Sequence, residues 1–301
     1  MSTISIEHLS KSYGKFLAVD DVTIEIPTGS VFGLLGPNGA GKTTTFKCLL
    51  GLARSTSGVI RFDGQELTPA LFESISYVPE RSVLYEWMNG AEHLEMQRRT
   101  FKRYDSKRAK QLMDLFKLDP RKRVRAMSKG MRTALAIVMA FAINPETLVL
   151  DEPTSGLDPV NQRAVLNLII ESAAQGATVV LSSHQIGQVE RAADHLAVLQ
   201  NGRVILAGAV DDLKSDRKIV EGIFPSETIA LDGLRRDSRI ERLDQSGRIL
   251  RLTVTADGGG LAETLSTMGA QSVRIVDLNL EDIFLNAVAP GSQTADIVEA
   301  G

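Results

Sequence analysis

Nine consecutive residues, Gly36, Pro37, Asn38, Gly39, Ala40, Gly41, Lys42, Thr43 and Thr44, fit the pattern G-x-x-x-x-G-K-[ST]. Glycines at that spacing let successive backbone N–H groups curl around a phosphate, while the lysine reaches the outer phosphates and the following hydroxyl turns to Mg²⁺. Lys42 and Thr43 hold those two places. A second acidic element, Asp151 and Glu152, closes the apolar stretch 147–150. At a strand end beside such a loop, Asp151 can hold Mg²⁺ through water, and Glu152, projecting differently, can polarise an attacking water. His184 follows Ser182 and Ser183 after a further strand, at the edge where open α/β sheets gather ligands, and is read as a contact to the terminal phosphate. Tyr13, beside Gly14, is an aromatic able to stack on a flat base.

These groups need elements to hold them. Residues 31–35 read as a short buried strand, and 44–50 as a helix whose N-terminus faces the anion, so the loop lies between strand and helix as phosphate binding requires. Residues 147–151 and 177–181 read as central parallel strands covered on both faces. Between them, Asp158 and Pro159 start a helix that reaches about Ala174. Ile4 and Ile6, then Val22, Ile24 and Ile26, alternate with polar residues and predict two half-buried antiparallel strands. Strands are also expected at 59–62 and 75–78. The pattern turns helical from 86 to 116, and a further helix begins near Ser128, a good N-cap, and runs to Ile143. Strands at 195–199 and 203–206 are joined by Asn201-Gly202, a strong two-residue turn signal.

Past about Ser215 the phosphate chemistry stops. Strands at 249–254 and 273–276 and helices at 261–268 and 280–285, with a loop at 257–260, predict a compact α+β appendix. The division expected is therefore 1–215 as a nucleotide-binding domain with a helical subdomain at about 86–142, 216–290 as an accessory domain, and 291–301 as a flexible tail.

The chain of 301 residues has a net charge of −3, which gives no global reason to expect nucleic acid. Fourteen Lys/Arg stand against three Asp between Arg98 and Arg132, either a solvated helix surface or a face for anionic headgroups or an acidic partner. The single cysteine, Cys48, excludes an intrachain disulfide framework and points to a reducing compartment. The N-terminus lacks the pattern of an export signal, and the apolar run 134–143 is about half of the ~20 residues that a bilayer crossing needs.

A phosphate loop alone leaves ATPases, GTPases and kinases open. The ordered set is narrower, and it strongly resembles the nucleotide-binding subunit of an ATP-binding cassette (ABC) transporter over about residues 2–215. The matching pieces are Tyr13 as the base-stacking aromatic, 36–44 as Walker A, Tyr77 to Glu80 at the Q-loop, Met127 to Met131 at the signature, Asp151 and Glu152 at Walker B, Ser155 to Asp158 as the D-loop, and His184 as the switch histidine. The stretch 278–285 is similar to the ending of subunits that energise a separate six-helix permease, commonly in bacterial export.

The resemblance implies a P-loop NTPase core of α/β class with an antiparallel β subdomain, a helical subdomain and a small C-terminal α+β accessory domain. It implies ATP and Mg²⁺ as cofactors and head-to-tail pairing, as a homodimer or with a sister ATP-binding subunit, with Ser128 and Gly130 of one chain at the nucleotide of the other and Asp158 of the D-loop as a further nucleotide contact. It further implies an integral membrane permease as partner and a peripheral place on the cytoplasmic face of the cell membrane. A permease-free ABC-type ATPase of translation or DNA repair is the rival; tandem cassettes or long coiled-coil insertions would favour it, and neither is present. Two departures stand out. Lys129 and Met131 replace a glycine and a glutamine of the usual signature, and Glu80 stands where glutamine is usual, adding a third carboxylate as a possible Mg²⁺ ligand with Thr43 and Asp151.

Overall fold

The structure, a computed structural model, describes residues 3–81, 83–215, 217–255, 259–277 and 279–288. The chain divides between Ala207 and Gly208 into two compact units.

The first unit opens with β1 (Ile4–Tyr13) and β2 (Phe16–Ile26), an antiparallel pair that buries Ile4, Ile6, Leu9, Val22, Ile24 and Ile26, as period-two alternation requires. Next come β3 (Val31–Leu35), α1 (Lys42–Leu49), β4 (Ser57–Phe62) and β5 (Ile75–Val78). The helical stretch follows as α2 (Gly90–Thr100), α3 (Ser106–Leu115) and α4 (Lys129–Ala142). Each has a side-chain N-cap. Asn89 and Glu92 form a reciprocal capping box on α2, Asp105 caps α3 and Ser128 caps α4. Several cations of the 98–132 run are paired, Arg98 and Arg99 with Glu95, Arg103 with Glu146, and Arg132 with Glu86. The unit continues with β6 (Thr147–Asp151), α5 (Pro159–Ala174), β7 (Thr178–Ser183), α6 (Ile186–Ala192) and β8 (His195–Gln200), and it ends within β9 (Arg203–Ala209).

Among the described residues, two sheets build this unit, a three-stranded antiparallel one ordered β2-β1-β4 and a six-stranded one ordered β5-β6-β7-β3-β8-β9. In the larger sheet β5, β6, β7, β3 and β8 are mutually parallel. The turn from β8 to β9 places Asn201 and Gly202 at φ 50° and 82°, the left-handed pair that a two-residue hairpin demands. Strands β3, β6 and β7 are buried along their whole length. Their apolar faces meet Phe46 and Leu49 of α1 and the isoleucines of β1 and β2 in one core. Sheet and loop-bearing helix are thereby packed as one body.

The second unit contains α7 (Val210–Ser215), β10 (Arg217–Ile223), β11 (Ile240–Ser246), β12 (Ile249–Thr255), α8 (Gly259–Thr267), β13 (Ser272–Asp277) and α9 (Leu280–Val288). Its strands form an antiparallel sheet ordered β11-β12-β10-β13, and Val220, Leu250, Leu252 and Val254 pack with Leu261 and Leu265 of α8. Of the loop expected at 257–260, residues 257 and 258 lie outside the described residues, whereas Gly259 and Gly260 open α8. The tail expected at 291–301 also lies outside them. The helix after the phosphate loop starts at Lys42, two residues earlier than the apolar pattern places it, because Thr43 and Thr44 are polar yet helical.

Candidate nucleotide site

Parallel register decides where the chemistry gathers. Leu35 lies opposite Ser183, Asp151 opposite Ser182, and Val78 opposite Leu150, so the strands preceding Gly36, Glu152, His184 and Glu80 all end along one edge. That is the carboxyl edge, where open α/β sheets bind ligands.

At this edge the loop 36–44 turns into α1. Gly41 precedes the helix at φ 109°, and a Cβ there would lie 2.6 Å from the carbonyl oxygen of Ala18, a position open to glycine alone. No side-chain hydrogen bond caps α1, which leaves its first N–H groups directed at the loop. Lys42 is buried, and its Nζ donates to the carbonyl oxygens of Gly36 at 2.6 Å and Pro37 at 3.2 Å. Burial pushes the Lys42 ammonium below its ordinary pKa, while the carboxylates of Glu152, Asp151 and Glu80 act to keep the proton on.

Asp151 is 1% exposed, and both its oxygens are held. Thr43 Oγ1 donates to Oδ2 at 2.7 Å, and Ser182 Oγ donates to Oδ1 at 2.5 Å. The same Ser182 hydroxyl accepts the N–H of Glu152 at 3.1 Å. Glu152 sits in the left-handed region at φ 52°, a conformation that costs a non-glycine residue about 1–3 kcal/mol and clusters at working sites. The residue is 9% exposed, with Oε2 2.8 Å from Nδ1 of His184. The imidazole itself is half-exposed.

A hydroxyl and a carboxylate converging at 2.7 Å are hard oxygen donors of the kind Mg²⁺ takes alongside phosphate oxygens, so Thr43 and Asp151 fit that ion. Among the described residues no group of three His, Cys, Asp or Glu is arranged to cage a metal. Glu80 reaches the site through its charge on Lys42 and on Tyr77, whose phenol is pushed up to about 12 by burial and then by Asp151 and Glu80.

The remaining residues singled out from the sequence lie in three places. Tyr13 ends β1 with its ring exposed, Lys11 Nζ 4.8 Å from the ring centroid, and Phe16 exposed opposite it. Ser128 accepts the N–H of Met131 at 3.2 Å, and Gly130 lies in the first turn of α4, against Gly156. Asp158 caps α5, its Oδ1 accepting the N–H groups of Val160 and Asn161 at 2.9 and 3.0 Å, and these bonds hold its carboxyl below the usual range. Within one chain, then, the loop, Asp151, Glu152, His184 and Glu80 share an edge, whereas Ser128, Gly130 and Asp158 are engaged with α4, the 154–158 loop and α5.

The sequence gives no separate role to Ser182, which joins Asp151 to Glu152, or to Tyr77 beside the acids. The signal for Ser182 is a hydroxyl directly after the apolar run 179–181 of a buried strand, since a fully buried serine needs a partner. Nor does it single out Thr154 and Gln188, bonded at 2.6 Å, which tie the segment after Glu152 to α6.

The ABC transporter family profile matches residues 19–155. The chain is 32% identical over 260 residues to the uncharacterized ABC transporter ATP-binding protein YhaQ of Bacillus subtilis, covering 85% of this chain and 84% of that one. It is 34% identical to the lantibiotic transport ATP-binding protein SrtF of Streptococcus pyogenes, over 69% of this chain and 91% of SrtF. Among solved structures, the ATP-binding subunit of an ABC transporter aligns with a TM-score of 0.66 at 33% identity, covering 70% of this chain and 92% of that one.

Proposed function

This chain belongs to the ATP-binding subunits of ABC transporters, and on that footing we propose that it clasps Mg·ATP between two copies of itself and hydrolyses it with Glu152 as general base. As such a subunit it binds ATP, is an ATPase and energises transport through a separate permease. The carrying observation is Glu152: buried, in a left-handed backbone, oriented by His184 at 2.8 Å, and one residue beyond the Asp151 that Thr43 and Ser182 hold.

The loop N–H groups and the α1 N-terminus bind the phosphates, and Lys42 neutralises their outer oxygens. Thr43 and Asp151 would hold Mg²⁺, which would supply positive charge to the triphosphate. Glu152 accepts a proton from water as the water oxygen bonds to the γ-phosphorus and the bond to the β-phosphate oxygen breaks, giving ADP and phosphate. His184 positions Glu152 and, being half-exposed, can also reach the γ-phosphate. Tyr13 stacks on the adenine. Ser128 and Gly130, at the N-terminus of α4, face the triphosphate of the second copy, so that loss of the γ-phosphate loosens the pair.

The membrane permease is a separate chain; no helix among the described residues is long and apolar enough to cross a membrane. Exposed Val83, Tyr85 and Trp87, the last two with rings 4.9 Å apart, offer apolar surface of the kind an interface covers. The subunit acts at the cytoplasmic face of the cell membrane, in the export direction, a reading supported by the similarity of the stretch 278–285 to the ending of exporter subunits.

Glu152→Gln tests the central step. Removing a general base should lower single-turnover hydrolysis by about 10²–10⁴-fold and leave nucleotide affinity within a few-fold. Turnover at the unsubstituted rate removes Glu152 from this role.

A further inference from the structure

We propose that Lys129 is a positioning residue that latches the first turn of α4 to the 154–158 loop of its own chain, and does not contact a phosphate. Lys129 Nζ donates to Ser155 Oγ at 2.9 Å, and its aliphatic stem lies along Gly156, where a Cβ would stand 3.0–3.3 Å from its Cδ, Cγ and Cε. One turn further on, Thr133 Oγ1 lies 3.2 Å from the carbonyl oxygens of both Ser155 and Lys129 and shares its one proton between them. Gly130 completes the contact, because a Cβ there would fall 2.5 Å from the Gly156 carbonyl oxygen. Lys129, Gly130 and Thr133 thus form one face of a close junction, and the loop backbone forms the other.

The loop is held at its other end as well. Thr154 Oγ1 donates to Gln188 Oε1 at 2.6 Å on α6, and Gln162 Nε2 donates to the Leu157 carbonyl oxygen at 3.1 Å. Its backbone returns to the acid, since the N–H of Ser155 donates to the carbonyl oxygen of Glu152 at 3.0 Å. A shift of Ser155 is therefore a shift of the peptide that carries Glu152. The lysine acts through this loop on the base of its own chain, while the helix it sits on meets the nucleotide of the other chain. The proposal rests on the reading of Glu152 and of the α4 N-terminus given above, and it gives the residue that replaces a signature glycine a definite task.

Two measurements on the full chain test it, each with Lys129→Met, Ser155→Ala, the double substitution and Lys129→Arg. The first is amide hydrogen exchange across 154–158, which needs no turnover, because the Ser155 and Leu157 N–H groups are hydrogen-bonded within the loop and their protection reports its opening. Both single substitutions should speed exchange several-fold, the double no more than either, and arginine should restore part of the protection. The second is ATPase activity against ATP concentration. The latch requires kcat to fall about three- to tenfold with KM within twofold, and the two substitutions to be non-additive. A phosphate contact would instead raise KM for Lys129→Met about tenfold, leave Ser155→Ala silent and leave exchange unchanged, and any of these overturns the latch. Glu152→Gln is run beside them. If that substitution leaves hydrolysis intact, the assignment of the base has failed, whereas unchanged exchange in Lys129→Met counts against the latch alone.

Discussion

Ser182→Ala removes one oxygen atom and tests the arrangement of the acids directly. The Ser182 hydroxyl donates to Asp151 Oδ1 at 2.5 Å and accepts the Glu152 N–H at 3.1 Å, and the residue is fully buried. A hydrogen bond to a charged group contributes about 1.5–3 kcal/mol net, and a strand end this closed gives solvent little access to take over from the hydroxyl. The Glu152 N–H keeps a second acceptor, the Ser182 carbonyl oxygen at 3.3 Å, so the loss falls mainly on Asp151. Taking about 2 kcal/mol, and about 2–4 °C per kcal/mol for a domain of some 200 residues, the melting temperature should drop by about 4–8 °C. Asp151 would then be held on Oδ2 alone, by Thr43, and its carboxylate could rotate away from the metal position. The Mg²⁺ concentration for half-maximal ATPase activity should rise about tenfold, with the effect of Thr43→Ser remaining small because its hydroxyl is kept. Differential scanning calorimetry and a Mg²⁺ titration of hydrolysis read the two effects. An unshifted melting temperature together with an unshifted Mg²⁺ midpoint would refute the reasoning, for the bond would then contribute neither to folding nor to ion binding.

Other outcomes follow from charges. Tyr77, raised to about 12, keeps its proton after the unfolded chain has lost it near pH 10, so the stability it contributes is complete below that value and is lost as pH climbs toward 12. Tyr77→Phe should extend folding to higher pH in an alkaline titration followed at 295 nm, and the slowest-titrating phenol should vanish from the trace. In the second unit Glu221 accepts from Arg251 Nε at 2.7 Å and Arg274 Nε at 2.8 Å, which hold its carboxyl below the ordinary range. Its contribution is present above the unfolded pKa and disappears as pH falls through the lower folded one, so Glu221→Gln should flatten the acid limb of hydrogen exchange in β10 and β12; an unaltered limb counts against it.

The working edge was legible because its signals are local. Glycines, Lys42, an apolar run ending in Asp151, and His184 after a strand each report on a few neighbours, and parallel register then brings them together. What was not legible is long-range. Lys129 reads as a lost glycine from sequence, since nothing local shows that its stem lies along Gly156 and its ammonium reaches Ser155, 26 residues on. Glu152 gave no sign of its left-handed backbone, which Ser182 helps to hold from the neighbouring strand. Strands β10 and β11 escaped notice for a different reason. Their ion pairs, Lys218 with Asp277 of the neighbouring β13 and Arg217 with Glu241 across β12, place charge where alternation expects apolar residues. α6 is short and carries two glutamines and a glycine in and beside it, so its apolar face is a single buried Val189 followed by Ala192.

The pairing of two chains can be separated from the folding of one. Ser128 already acts within its own chain, as the N-cap of α4, and that duty is met equally well by aspartate. No acidic residue stands in the first turn of this helix, so its positive end is not neutralised there by a carboxylate of its own. Ser128→Asp therefore preserves the cap and should leave the melting temperature within about 2 °C, the change expected of a surface substitution within about ±0.5 kcal/mol. If the α4 N-terminus receives the γ-phosphate of the partner, the same substitution sets a carboxylate against a phosphate, and like charges at such range cost several kcal/mol at a closed interface. In a Glu152→Gln background saturated with Mg·ATP, light scattering should then find a dimer while Ser128 is kept and a monomer once Ser128→Asp is added. A dimer that survives the added carboxylate would place the triphosphate elsewhere, and the loop 36–44 would have to close its site without the second chain.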